Sequence, residues 1–281
     1  MTNSYDLSAG AKRLEKVEAS PIRTILDRAA VLRSEGKPVI PFSAGEPDFN
    51  TPTDIKEATI RAITNNQTKY TSNRGYPALR KVLKEYIQRE TGMEYDPETE
   101  ILVTSSAAEA LNNTIMSFVD DGDEVIVLTP AFISYKCLVN LCGAKYIDIP
   151  MDPENGFQVD VEAIKAAVTD KTKMLILNNP SNPTGAVFSK ENLAEICKLA
   201  VERNFLVLAD EIYSRLVYDG AEFHSVASFP GMRDRAIVIS GFSKTFAMTG
   251  WRVGYIATDA KLAARIHRTH QYSTTCSPTF I

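Results

Sequence analysis

Apolar positions along the chain follow two alternating rhythms. Short runs with few polar interruptions, ILVT, EVIVL, KYIDI, MLIL, LVLA, AIVIS and VGYIA, occupy residues 101–104, 124–128, 145–149, 174–177, 206–209, 236–240 and 253–257. Between many of them the apolar residues return at helical spacing, over 107–118, 133–141, 161–168 and 193–201. Near-continuous apolar runs belong to strands buried on both faces. Strand–helix–strand alternation then predicts an α/β fold: a mostly parallel, seven-stranded sheet with helices on both faces. Residues 1–50 break this rhythm, with a helical stretch near 22–34 and then the Pro- and Gly-containing loop PFSAGEPDF. They are expected to form an N-terminal arm and helix preceding one large domain over 51–281.

In such sheets ligands bind beyond the carboxyl ends of the strands. The segments to inspect for chemistry are therefore 105–108, 129–132, 178–185, 210–213 and 241–244.

Composition narrows the classes. The 281 residues are 44% hydrophobic and 23% charged, with a formal net charge of −4, which suits a folded globular chain and not a basic nucleic-acid-binding surface. The first twenty residues lack a charged-then-apolar leader, and no stretch approaches the roughly 18 apolar residues of a membrane span. The chain is expected to be cytoplasmic, without nucleic-acid or membrane partners. Cys137, Cys142, Cys197 and Cys276 form no CxxC pair, so they read as small buried hydrophobes. His267 and His270 share a helical spacing but have no ligand partner in the motif, so no metal is expected. Neither a GxGxxG nor a GxxxxGK[ST] loop is present, which removes the common nucleotide sites.

Three segments carry chemistry. In SGFSKTFAMTGWRVGY, 240–255, Lys244 follows a strand and Arg252 lies eight residues on. Both fit an ordinary solvated surface. Equally, burial and a neighbouring cation would depress the lysine pKa and make it a nucleophile toward carbonyls, while the arginine fork suits a phosphate. In LADEIYSRL, Asp210 ends an apolar strand, where a carboxylate is costly without a cationic partner such as a pyridinium nitrogen. Tyr213 fits either a hydroxyl in water or a donor to the same ring. NNPSNPTG, 178–185, is by composition a turn, or a rigid loop presenting an amide.

Taken together, SAGEPDF, KYTSNRGYPALR, VTSSAAEAL, PAFISY, NNPSNPTG, ADEIY and SKTFAMTGWRVGY resemble the class I/II aminotransferase family, fold type I pyridoxal-phosphate enzymes with the aspartate aminotransferase fold. The resemblance runs from about residue 20 to the last. It implies a pyridoxal 5′-phosphate-dependent enzyme that moves an amino group from an amino acid to a 2-oxo acid. It makes Lys244 the Schiff-base lysine and proton shuttle, Asp210 the partner of the ring nitrogen, and Asn182 and Tyr213 the donors to the phenolic oxygen. Phe132 would stack on the ring. Ser106, Ala107 and Ala108, at a helix N-terminus, together with Arg252, would hold the phosphate. Gly45 and Asn182 would approach the substrate. Tyr70 would reach the phosphate of a second subunit, implying a homodimer with shared sites.

The chain departs from the family pattern in four places. Many members have Gly at Ser106 and Ser at Gly241, with Ser240 and Ser243 as alternative hydroxyls here. One acidic-substrate subgroup has Lys at Ala108. Family members also continue into a C-terminal small domain that holds a carboxylate-binding arginine, expected to be absent from this chain. Competing expectations are a lyase on the same scaffold and a catalytically impaired cofactor-binding fragment.

Overall fold

A computed structural model describes residues 10–40, 42 and 45–281. The expected α/β sheet is present. Its strands are β1 (Ile101–Thr104), β2 (Glu124–Thr129), β3 (Lys145–Pro150), β4 (Thr172–Asn178), β5 (Leu206–Asp210), β6 (Ala236–Gly241) and β7 (Gly254–Ala257), in the order β1-β7-β6-β5-β4-β2-β3. The helices are α1 (Pro21–Ser34), α2 (Thr53–Thr64), α3 (Pro77–Thr91), α4 (Ala107–Phe118), α5 (Ser134–Leu141), α6 (Val161–Ala167), α7 (Lys190–Arg203) and α8 (Ala260–Ser273).

Strand β4 shows why these runs lack polar residues. Its Leu175 and Leu177 pack into one core with Ile164 of α6 and with Leu193 and Ile196 of α7. Its Met174 and Ile176 face the opposite way, into a core with Leu111 and Ile115 of α4, Val139 of α5 and Ile266 of α8. Each of these side chains is almost fully buried, a contribution of roughly 1.5–3 kcal/mol apiece. A strand with helices on both faces has no solvent side on which to place a polar residue.

One run departs from that rule. β3 forms an edge of the sheet and is largely exposed apart from Ile149, with Lys145 in the open. Charged side chains are what an edge strand tolerates, and they discourage pairing with another chain. The segment 51–100 also holds α2 and α3, which the strand-based reading does not anticipate. α1 and α2 contain no buried residue, whereas α3 buries Arg80, Leu83 and Ile87 against the β1 end of the sheet. Among the described residues no helix is long and apolar enough to cross a membrane.

The direction of β7 positions the functional edge. It pairs antiparallel with both β1 and β6, while β2, β3, β4, β5 and β6 run parallel. Between β6 and β7 there is no crossover helix, only a loop of turns that ends in a short 3-10 turn at Thr249–Trp251. Arg252, two residues before β7, therefore stands at the same edge as the residues that follow β1, β2, β4, β5 and β6.

Helix starts differ in their caps. Asp160, Ser189 and Asp259 cap α6, α7 and α8, accepting backbone N–H groups through their side chains. α4 begins at Ser106 with no side-chain cap, so its first amides remain open toward the edge.

Candidate active site

Asp210, the last residue of β5, is 4% exposed. Its Oδ2 accepts the hydroxyl of Tyr135 at 2.8 Å, and Oδ1 accepts the backbone N–H of Ile212 at 3.3 Å. Burial raises its pKa from 3.8 to about 6, against the lowering effect of those two donors. Among the described residues no cation lies within salt-bridge distance of it. Glu211, next along the chain, is turned to the Ser225 hydroxyl (2.9 Å) and the Val226 N–H (3.1 Å), and burial pushes it further, to about 8. Burial thus raises Glu211 more than Asp210, which is the more readily ionised of this neighbouring pair.

The loop after β4 is tied to the same residue. Asn178 donates from Nδ2 to the Asp210 carbonyl at 2.9 Å and accepts the Asn182 N–H on Oδ1 at 2.6 Å. Its side chain braces the loop that carries Asn182. From there Asn182 Nδ2 reaches the Tyr213 hydroxyl at 3.4 Å, so the amide and the phenol converge on one point. Phe132, after β2, meets Tyr135 edge to face with ring centroids 5.7 Å apart.

Lys244, three residues beyond β6, places Nζ 5.7 Å from the centre of the Tyr213 ring and donates to the Gly45 carbonyl. Its pKa is lowered, first by burial and also by Arg252, with Glu46 acting in the opposite direction. The amine is therefore more nucleophilic at neutral pH than a surface lysine. Gly45 is described and stands against Lys244; Ser43 and Ala44 of the same SAGEPDF motif lie outside the described residues.

At the other end, the start of α4 meets the start of β7. A Cβ on Gly254 would lie 2.5 Å from the Ala107 nitrogen and 2.6 Å from the Ser106 carbonyl carbon, so only glycine permits this approach. Ser106 itself has φ 86° and Arg252 φ 58°. Ser106 thus occupies a backbone region that glycine adopts freely and serine reaches only with strain. Open amides at a helix start suit an anion, and Arg252 stands two residues before the Gly254 that touches them. The Arg252 guanidinium donates to the Thr249 carbonyl at 2.9 Å, which leaves further N–H groups for another acceptor.

Tyr70 stands apart, 87% exposed, on a cleft shared with Ser105, Thr274 and Phe280. The two serines considered as replacements for the hydroxyl absent at Gly241 differ in placement. Ser240 is buried and directed to the Glu211 carbonyl at 3.3 Å, whereas Ser243 is half-buried. Gly241 has no room for more, since a Cβ there would meet the Val253 carbonyl oxygen at 2.9 Å.

Sequence reasoning passed over Tyr135 and Asn178, the residues that hold Asp210 and Asn182 in place. Both lie inside motifs already singled out, PAFISY and NNPSNPTG, and a polar residue on the inner side of an apolar segment was the available signal. His267 and His270 lie on α8, and among the described residues no group of three or more His, Cys, Asp or Glu side chains gathers as a metal site.

Chemically, the edge offers an amine, a buried carboxylate, an amide beside a phenol, and the uncapped start of a helix. Comparisons with known proteins agree with that combination. The chain matches the family described as Aminotransferase class I and II over residues 37–280. It is 42% identical to an aspartate aminotransferase of Pyrococcus abyssi, covering 97% of this chain and 69% of that protein. To an aromatic-amino-acid aminotransferase 2 of Thermococcus litoralis it is 41% identical, over 96% of this chain and 68% of the relative. The solved aspartate aminotransferase of Thermus thermophilus with maleate superposes with a TM-score of 0.93 at 38% identity, covering 97% of this chain and 70% of that one.

Proposed function

The chain belongs to the class I and II aminotransferases, pyridoxal-phosphate-dependent enzymes that move an amino group between an amino acid and a 2-oxo acid, and from that premise we propose how its own residues divide the work. The observation that carries the reading is Asp210: a buried carboxylate with hydrogen-bond donors but no cation. A protonated ring nitrogen supplies the missing charge. The lowered Lys244 pKa and the uncapped start of α4 fit the cofactor's aldehyde and phosphate equally well. The residues present therefore fit pyridoxal 5′-phosphate.

When bound, the cofactor supplies a carbonyl that exchanges amino groups and a ring that accepts the electron pair left at the substrate Cα. The protein supplies the rest. Lys244 would hold the carbonyl carbon through Nζ and, once released, would take the proton from the substrate Cα on the same atom. Asp210 keeps a proton on the ring nitrogen, aided by Tyr135, whose hydroxyl fixes the carboxylate in one orientation. Asn182 Nδ2 and the Tyr213 hydroxyl donate to the phenolic oxygen, and Phe132 packs on the ring face. The open amides of Ala107 and Ala108, with Arg252, would bind the phosphate, and Ser106, whose N–H donates to the Thr104 carbonyl at 2.9 Å, would shape the turn that presents them. Gly45, whose carbonyl accepts from Lys244, and Asn182 would border the substrate.

Residues 51–281 are read as the cofactor-binding domain and 1–50 as its arm; the sheet within 101–257 and the lack of buried residues in α1 support this. A homodimer with shared sites accounts for the exposed Tyr70 and for the uncovered Ile25, Ile60 and Ile63 of α1 and α2. Light scattering on the purified chain tests it. A cytoplasmic location is proposed from the sequence and is checked by fractionation.

The catalytic reading is tested by incubating cofactor-loaded protein with amino-acid donors and a 2-oxo acid. A new amino acid and a new 2-oxo acid in equal amounts are expected. Ammonia release without amino transfer would favour a lyase and overturn the assignment.

A further inference from the structure

His270 is wholly buried, on α8, with both ring nitrogens engaged. Nδ1 lies 2.8 Å from Glu109 Oε1, and Nε2 lies 2.6 Å from the Asn73 carbonyl oxygen. A carbonyl only accepts, so Nε2 carries a hydrogen. Glu109 accepts two further N–H groups, from Ser105 at 2.5 Å and from Asn113 Nδ2 at 2.8 Å, the pattern of an ionised carboxylate. Facing it with a bare nitrogen lone pair would be repulsive, so Nδ1 also donates. With both nitrogens donating, the buried pair would be an imidazolium facing a carboxylate.

Its position gives it consequence. Glu109 lies in the first turn of α4, and its carboxylate grips the N–H of Ser105, immediately before Ser106, Ala107 and Ala108. Asn73 belongs to the loop between Tyr70 and Arg74, and its side chain donates to the Thr275 carbonyl at 2.7 Å. One imidazole therefore joins the anion cradle, the loop bearing Tyr70 and the end of α8. A negative charge in the first turn of a helix satisfies the helix dipole, but the same charge repels a phosphate dianion bound at that helix start.

We infer that His270 is a positioning residue for the cofactor phosphate, neutralising Glu109 so that the start of α4 accepts a dianion while Glu109 still fixes the Ser105 backbone. This inference rests on the assignment of Ser106–Ala108 as the phosphate cradle. No reaction step passes through His270. Its contribution is to charge and geometry at the cradle, and it depends on both nitrogens donating.

The test compares two probes on the cofactor-free chain, pyridoxal 5′-phosphate and pyridoxal, which lacks the phosphate. Wild type is expected to prefer the phosphorylated probe. H270Q leaves Glu109 without its counter-charge, and is expected to lose roughly tenfold or more in affinity for pyridoxal 5′-phosphate with little change for pyridoxal. The double variant E109Q/H270Q, uncharged at both positions, is expected to recover most of that loss. Equal losses for both probes, or no recovery in the double variant, would show a purely structural role and overturn the inference while leaving the cradle intact. Equal wild-type affinity for the two probes would instead remove the cradle assignment, and the inference with it. Should H270Q fail to fold, 15N spectra of the histidine-labelled wild-type chain decide the matter, since the chain has three histidines to assign. Protons on both His270 ring nitrogens at pH 7.5 support the account, and a neutral ring refutes it.

Discussion

The two ends of the site are built by different means. At the ring end, side chains do the holding: Tyr135 and Asn178 fix Asp210 and Asn182, and Asn182 meets Tyr213, mostly inside the buried margin of the sheet. At the phosphate end the backbone holds: uncapped amides of α4, positive φ at Ser106 and Arg252, and a glycine at 254 that lets two chain segments touch. The first end tolerates only particular functional groups, and the second only particular backbone shapes. Substitutions should therefore separate the ends, with chemistry failing at one and cofactor retention at the other.

The largest effect is expected from Asp210→Ala. Turnover should fall about 100-fold or more, the scale on which a preorganised charge contributes to a transition state. Cofactor content, read by absorbance, should fall much less, because the phosphate end is untouched. A variant that keeps near-wild-type turnover would remove the ring-nitrogen role.

Gly254→Ala should do the opposite. Its Cβ would enter the space of the Ala107 nitrogen, which costs about 1–3 kcal/mol as overpacking and displaces the cradle. Weaker cofactor binding is expected, with stability loss in urea titration. Full cofactor affinity in a folded variant would show that the close approach is incidental.

A pH effect distinguishes the ends in the cofactor-free protein. The Asp210 pKa, about 6 in the folded chain, lies above its ordinary 3.8, so the folded state keeps a proton that the unfolded state has already lost. For this group stability is greatest below pH 4 and declines as pH rises through 6, by about 3 kcal/mol. Asp210→Asn should abolish that decline, making the variant the more stable of the two at pH 8 while destroying activity. Unfolding midpoints at pH 4 and pH 8 measure it, and identical pH dependence in the two proteins would contradict the burial argument.

The smallest effect is at Ser106. With φ 86°, Ser106→Gly relieves backbone strain and should stabilise the chain by roughly 1 kcal/mol with cofactor affinity retained, as shown by thermal unfolding.

The same division explains what could be read from the sequence. The seven strands and α4, at 107–118, were legible because burial on both faces leaves an uninterrupted apolar signature, and Lys244, Asp210, Asn182 and Tyr213 because their chemistry is carried by side-chain identity. Edge placement of β3 was not, since KYIDI is apolar enough to pass for a core strand and only its neighbours decide otherwise. α2 and α3 lie in a stretch without strands to frame them. Nothing in the letters SSAAEA announces a positive φ at Ser106, nor does a lone His at 270 announce that it meets Glu109, 161 residues away in the chain. Those depend on how distant segments come together.

The most direct test of the central claim, that Lys244 at this strand edge is the residue that holds the cofactor, is borohydride reduction of the loaded chain followed by peptide mapping. The account predicts one stable pyridoxyl adduct, on Lys244, in the peptide containing SGFSKTFAM. An adduct on a different lysine, or none from folded and cofactor-loaded protein, would contradict it.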